Sequence, residues 1–517
     1  MHMHSTIKKL AQSTWKSFEQ AMHVGDIARE RRRLTFSVFI WSFLILSVLS
    51  ITMLWLGDKL NASGMVVTRF LAGAQAPVTS QYGYPAAARE QITVVMYDQE
   101  FLNSNGSAWP ISYQDHADWL LRLAGDPAAR PKAILLDISF GQDRVDATLP
   151  ILKQALCTVQ NEYKVPVFLA ALPSAKDGKL AVRSGLAAAG ESACFTLVGV
   201  DYVADPLDGL AWGYQLTRHR TEAGWQPGPA DAPAQPSYRS AAMAMAQDVA
   251  KIELGEETVP MALVWGNNSA PQNERPDRLK SCTPGERQLY KLIPGVLRQV
   301  WESAPAQPLC PYHRTLSMAQ LGQLSEQELA PYLAGRYVMV GANIPGYNDF
   351  VDSPIHRLLP GVYLHAMALD NFLTYKDGYK LSAEWTIPPS LALLLPGALT
   401  IFAVLLVHLA WTLMLHKFFR TTRFHRWRRQ RLRSALSRRM SMHAIAVLAW
   451  IVRLTLQSIA AMAMIAFLQH FFRIGMLPVV ELIGMTLLAE GLGYMSKLRI
   501  FIFGEEVRVR PVLSSQV

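Results

Sequence analysis

QITVVMYD (91–98) and KAILLDISF (132–140) decide the fold class. Each is a short, almost unbroken run of β-branched and aliphatic residues that meets a carboxylate, Asp98 in the first and Asp137 in the second. Strands apolar on both faces belong to parallel sheets covered by helices. Between the two runs, Trp109-Pro110 opens a helix expected over Ser112–Leu123. Working outward, Thr148–Val159 reads as a helix, and VPVFLAAL (165–172) and CFTLVGVDYV (194–203) read as strands. Ser237–Ile252 reads as an Ala- and Met-rich helix, RYVMVGA (336–342) as a late strand and Gly361–Thr374 as the last helix. This alternation predicts an α/β domain, a mostly parallel sheet with flanking helices. The Pro/Gly/Ala-rich stretch 221–237 is expected to be a surface loop, and 266–286 an irregular polar excursion.

The domain is flanked by apolar stretches. Of the 517 residues 50% are hydrophobic and only 17% charged, and the mean hydropathy of +0.13 excludes a disordered chain or a small disulfide knot. Leu34–Leu56 runs 23 residues without a charge, and about 20 apolar residues cross a bilayer as a helix. With 33 residues before it, this run reads as an uncleaved anchor rather than a signal peptide. Three more spans are expected at 390–415, 444–468 and 476–494, which makes a four-helix transmembrane region. Residues 1–33 carry a net charge of +4, 416–443 of +10 and 495–517 of +2, whereas 57–389 carry −6. Basic segments stay cytoplasmic, so both termini and the 416–443 hairpin are expected inside and the 57–389 domain outside. The overall basicity therefore follows from topology and does not argue for nucleic acid. All four cysteines, Cys157, Cys194, Cys282 and Cys310, fall in the exported segment, where disulfides persist. Three pairings are open; the sequence-local one, Cys157–Cys194 with Cys282–Cys310, is expected.

The order ITVVMYD, Trp109-Pro110, helix, ILLDISFGQD, and the later YVMVGANIPGYNDFVDSP followed by LPGVYLHAMALDNFL, resemble the second type of CHASE domain, a bacterial sensory module. The layout resembles that family too: one N-terminal span, a large periplasmic domain, then three spans. The most specific motif runs from Gly341 through Pro360-Gly361 to His365, Ala366 and Asn371. The resemblance implies a sensor, not an enzyme, in the bacterial inner membrane. Family members often carry an Arg shortly after the Trp-Pro pair, where this chain has Tyr113. Members commonly continue into a cytoplasmic cyclase or kinase, whereas 495–517 follows the last span here, so the output is expected on another chain.

Candidate site residues come from both readings. Asp98, Trp109, Asp137, Asp349, Asp352 and His365 are candidates for a ligand site or a structural motif. Carboxylates at strand ends do acid–base chemistry in some enzymes and cap the next helix in most proteins. Asp349, Asp352, His356 and His365 are also of the right types for a divalent metal, although the family reading makes the run a structural signature. Phosphate loops, nucleophile elbows and HExxH are absent, and no cofactor is expected. Arg426, Arg428, Arg429, Arg431 and Arg433, beside Phe424 and Trp427, suit anionic lipid or an acidic cytoplasmic partner. Arg453 in the third span needs a partner, because an unpaired charge at mid-membrane costs at least about 2.5 kcal/mol, and Glu490 is the residue matched to it in depth.

The expected function is therefore a sensor that receives a periplasmic ligand or protein and signals through the spans to a separate cytoplasmic partner. A homodimer would suit such signalling, though no heptad or GxxxG run marks one. Two alternatives stand beside it: a membrane-anchored periplasmic metal-dependent hydrolase built on Asp349, Asp352, His356 and His365, and an envelope scaffold or membrane effector that assembles with partner proteins.

Overall fold

The structure, a computed structural model, describes residues 84–381, interrupted at 175–177, 188–193, 205–208, 222–223, 228–236, 255–258, 275–281, 285–308 and 347–348, with scattered positions between 399 and 475. The chain divides into two compact units, and the α/β domain lies in the one made of 62–387 and 469–476. The apolar stretches 34–56 and 476–494 lie outside the described residues, as do Arg453, Glu490 and the hairpin arginines. The few described positions within 390–415 and 444–468 are helical. Among the described residues no helix is long and apolar enough to cross a membrane.

The unit follows the α/β reading. Its elements are β1 (Ile92–Asp98), α1 (Gln99–Asn105), α2 (Tyr113–Ala124), β2 (Ala133–Leu136), α3 (Leu149–Cys157), β3 (Val167–Pro173), β4 (Leu180–Ala181) and β5 (Thr196–Gly199). There follow β6 (Gly213–Tyr214), β7 (Thr217–Thr221), β8 (Gly224–Pro227), β9 (Ser237–Arg239), α4 (Ala241–Asp248), β10 (Met261–Ala262), β11 (Arg314–Ser317), α5 (Met318–Gln323) and α6 (Glu326–Leu333). The last are β12 (Tyr337–Asn343), β13 (Phe350–Ser353), β14 (Arg357–Pro360) and α7 (Val362–Tyr375). Six strands form a parallel sheet in the order β11-β1-β12-β2-β3-β5, and β4 adds antiparallel to the end of β3. Strand β12, last of the six in the chain, is thus inserted between the first two.

Period-two alternation divides the core. Val94, Met96, Leu135 and Phe168 face α4 and α7, while Val95, Tyr97, Leu136 and Leu169 face α2, α3, α5 and α6. The result is a three-layer sandwich. Both disulfides join sequence-local cysteines, with separations of 37 residues for Cys157–Cys194 and 28 for Cys282–Cys310. Loop closure of this size stabilises by about 3–4 kcal/mol per bridge.

Three expectations need correction. The helix predicted over Ser237–Ile252 begins only at Ala241, because Ser237–Arg239 pairs with β7. The predicted loop 221–237 contains β8, which completes a hairpin with β7. The strand predicted over 194–203 pairs only over Thr196–Gly199, because the end of β3, Leu172 and Pro173, pairs with β4 instead.

Candidate functional site

The site sits beyond the carboxyl ends of β2, β5 and β12, the end of an open parallel sheet where α/β ligands bind. Asp137 directly follows β2, and its N–H still donates to the Val340 carbonyl at 2.8 Å, which holds it against β12. Asp349 comes from the loop between β12 and β13, where Gly346 turns the chain at φ +85°. His365 comes from the first turn of α7.

Two close approaches bring α7 in. A Cβ on Gly341, within β12, would lie 2.6 Å from Val362. A Cβ on Gly361 would lie 2.4 Å from the Asp349 carboxylate, and Gly361 N–H donates to the Asp349 carbonyl at 3.0 Å. Any side chain at either glycine would push α7 off the strand ends. That is the physical content of the Gly341 to His365 motif.

His365 Nδ1 meets the Tyr214 hydroxyl at 2.7 Å. The Tyr214 oxygen also accepts from Ala242 N–H at 3.2 Å, so its own proton is free for Nδ1. The ring further bonds the Val200 carbonyl, which assigns the ring proton to Nε2. The Asp137 Oδ2 stands 3.9 Å from Nε2, too far for a hydrogen bond, and has no hydrogen-bond partner. Burial drives both groups toward neutrality. It lowers His365 to about 4. It also raises Asp137 well above the carboxylate range, and the negative Asp349 nearby adds to that rise. Asp349 is itself raised by burial. The arrangement favours the neutral forms of both the acid and the imidazole, and leaves one carboxyl oxygen over.

A second polar cluster occupies the other half of α7. Asn371 accepts from Val264 N–H at 3.0 Å and donates to the Val264 carbonyl at 3.0 Å, the Met367 carbonyl at 2.8 Å and the Tyr84 hydroxyl at 3.1 Å. Asp370 accepts from the Tyr84 hydroxyl and meets His313 Nε2 at 3.1 Å. Asp370 and Asn371 are fully buried.

The structure separates the four residues of the metal reading. His356 Nε2 bonds the Gly266 carbonyl at 2.6 Å, and burial lowers its pKa to about 4. Asp352 lies in the β13–β14 hairpin opposite Leu358, and its carbonyl accepts from Ala211 N–H at 2.8 Å. Of the four, only Asp349 and His365 share the site, and among the described residues no three His, Cys, Asp or Glu side chains come close enough together to hold a metal ion. Asp98 caps α1 by accepting from Phe101 N–H at 2.9 Å, and it also accepts from the Ser317 hydroxyl at 2.9 Å. Trp109 stacks away from the site, with its ring 5.8 Å from Tyr97 and 6.2 Å from His116. Tyr113, in place of the family's expected arginine, lies between two guanidinium groups. Arg144 lies 3.9 Å from its ring centre, and Arg183 donates to its hydroxyl at 2.7 Å.

Sequence reasoning missed Tyr214, His313, Tyr84 and the role of Asp370. One signal was present. VYLHAMALDNFL is apolar around the whole helix, so its few polar residues had to find buried partners.

No curated protein and no solved structure matches the chain. The CHASE2 domain family matches residues 45–410, well over half of the sequence. The three-layer α/β unit, with its Gly341 to Asn371 signature built around α7, belongs to a protein of the CHASE2 sensor-domain family.

Proposed function

We propose that the chain is an inner-membrane receptor subunit. Its extracytoplasmic α/β domain receives an envelope or small-molecule stimulus, and the apolar stretches carry the signal to a cytoplasmic effector on another chain. The observation that carries this reading is the extent of the family match. Residues 45–410 run from within the first apolar stretch into the second, so the family unit includes the domain with an apolar run at each end. Large apolar side chains left exposed at helical positions, among them Leu406, Met414, Leu448 and Phe467, suit a lipid surround.

The Asp137–His365 pair is the natural receiver. A stimulus shifts a two-state protein only if it interacts differently with the two states. An acceptor oxygen without a partner, facing a neutral imidazole, offers that difference to a proton or a polar group. The His365 half of the pair is carried by α7, which leads toward the second apolar stretch.

The test is a pull-down with the full chain in mild detergent, wild type beside a variant with Arg426, Arg428, Arg429, Arg431 and Arg433 changed to Gln, both checked for equal insertion. The expected result is a cytoplasmic regulator or enzyme retained by the wild type and lost from the variant. If no soluble protein binds either form, the receptor-subunit reading falls.

A further inference from the structure

Arg473 and Gly475 lie between the third and fourth apolar stretches, far along the chain from the sheet, yet they belong to the unit that contains it. Backbone pairing holds them. Leu381, just past α7, donates its N–H to the Arg473 carbonyl and accepts from Gly475 N–H, both at 2.7 Å. That is the exchange of a parallel bridge. The opposite edge of the same segment pairs with β10: Ala262 N–H donates to the Lys380 carbonyl at 2.8 Å, and Met261 bridges to Leu381. Leu381 is therefore bridged from two directions, by Met261 and by the backbone of Arg473 and Gly475.

Side chains lock the same contact. The Arg473 guanidinium donates to the Asp377 and Tyr379 carbonyls and lies 5.5 Å from the Tyr379 ring centre. Arg473 holds φ +55°, a region that L side chains rarely adopt. A Cβ on Gly475 would come within 2.3 Å of the Ala262 side chain, so only glycine lets the backbone approach this closely.

We propose that the backbone pairing of Arg473 and Gly475 with Leu381 is a built-in clamp by which the domain grips the third and fourth apolar stretches as well as the two it is covalently joined to. This rests on the reading that the apolar stretches cross the membrane. Two crossings, through the second and third stretches, return the chain to the side of Leu381, as the clamp requires. Displacement of the end of α7 is then delivered to all the stretches together, not to the second alone.

Two measurements on the full chain in native membranes test it. The first is labelling of Phe471→Cys with a membrane-impermeant maleimide, which is clean because all four native cysteines are in disulfides. The second is hydrogen exchange of the peptides that span Leu381 and Gly475. External labelling is expected, with slow exchange in the wild type and exchange faster by about tenfold or more in Gly475→Val, while the β1 and β12 peptides stay unchanged. Arg473→Ala gives the same reading should the valine variant fail to insert. Labelling only after permeabilisation overturns the membrane order on which the clamp rests. External labelling with fast wild-type exchange, or protection unchanged in both variants, overturns the clamp itself.

Discussion

The two halves of α7 carry polar clusters five positions apart, and they are finished to different degrees. Around Asp370 and Asn371 the bonds close: Asn371 uses its carbonyl and both amide protons, and Asp370 takes Tyr84 and His313. Around His365 they do not close, because Asp137 Oδ2 has no partner and Nε2 stands 3.9 Å away. A fully satisfied buried network rigidifies a core, and a partly satisfied one is costly and open to change. One helix therefore holds an anchor at its C-terminal half and a responsive pair at its N-terminal half.

The largest test is Asn371→Ala. It orphans the Val264 N–H and carbonyl in a buried site, so a loss of about 3–5 kcal/mol is expected from the two unmet groups and the cavity. Denaturant unfolding of the detergent-solubilised protein reads it, and a loss below about 1 kcal/mol would remove the anchor from the account. Next comes Asp370→Asn, which keeps the shape but sets an amide donor against Tyr84 or His313. The expected cost is on the order of 3 kcal/mol by the same measurement.

The responsive pair should reveal itself through pH. Burial holds His365 at about 4 against an ordinary value of 6.5. As pH falls from 6.5 the unfolded chain takes up the proton first, so stability drains away between pH 6.5 and 4, by up to about 3 kcal/mol. His365→Gln should have a correspondingly shallower acid limb; parallel stability curves for wild type and variant would refute the burial argument. Asp137 has the opposite sign. Its raised pKa means that wild type gains stability as pH falls through the native value, and Asp137→Asn should lack that gain. At pH 7 the change should be the smallest of the four, within about 1 kcal/mol, since a neutral amide replaces a carboxyl group that burial already pushes toward its neutral form. A penalty like that of Asp370→Asn would erase the distinction between the two clusters.

Much of the sheet was legible because burial on both faces demands unbroken apolar runs, and β1, β3 and β12 lie within a residue or two of where those runs placed them. β11 was not legible. RTLS is polar, and it becomes a strand because other parts of the fold satisfy it: Thr315 N–H donates to Asn273 and the Thr315 hydroxyl meets Tyr363. The early start predicted for α4 failed for a related reason, since a hairpin distant in its connections claimed Ser237–Arg239.

Composition and periodicity by themselves determined the α/β class, chain proximity favoured the cysteine pairing that the structure then decided, and the resemblance carried by the Gly341 to Asn371 run named the family. These rest on local patterns that follow from the hydrophobic effect and from chain proximity. Tertiary structure alone decided which polar groups meet. Asp137, Tyr214, Asp349 and His365 come from four elements and converge only where α7 packs over the ends of β2, β5 and β12. His356, nearer to His365 in sequence than any of the other three, turns to Gly266 instead. Side-chain types can be read along a chain, but a distance of 3.9 Å between two of them is set by the packing of layers, which no local spacing encodes.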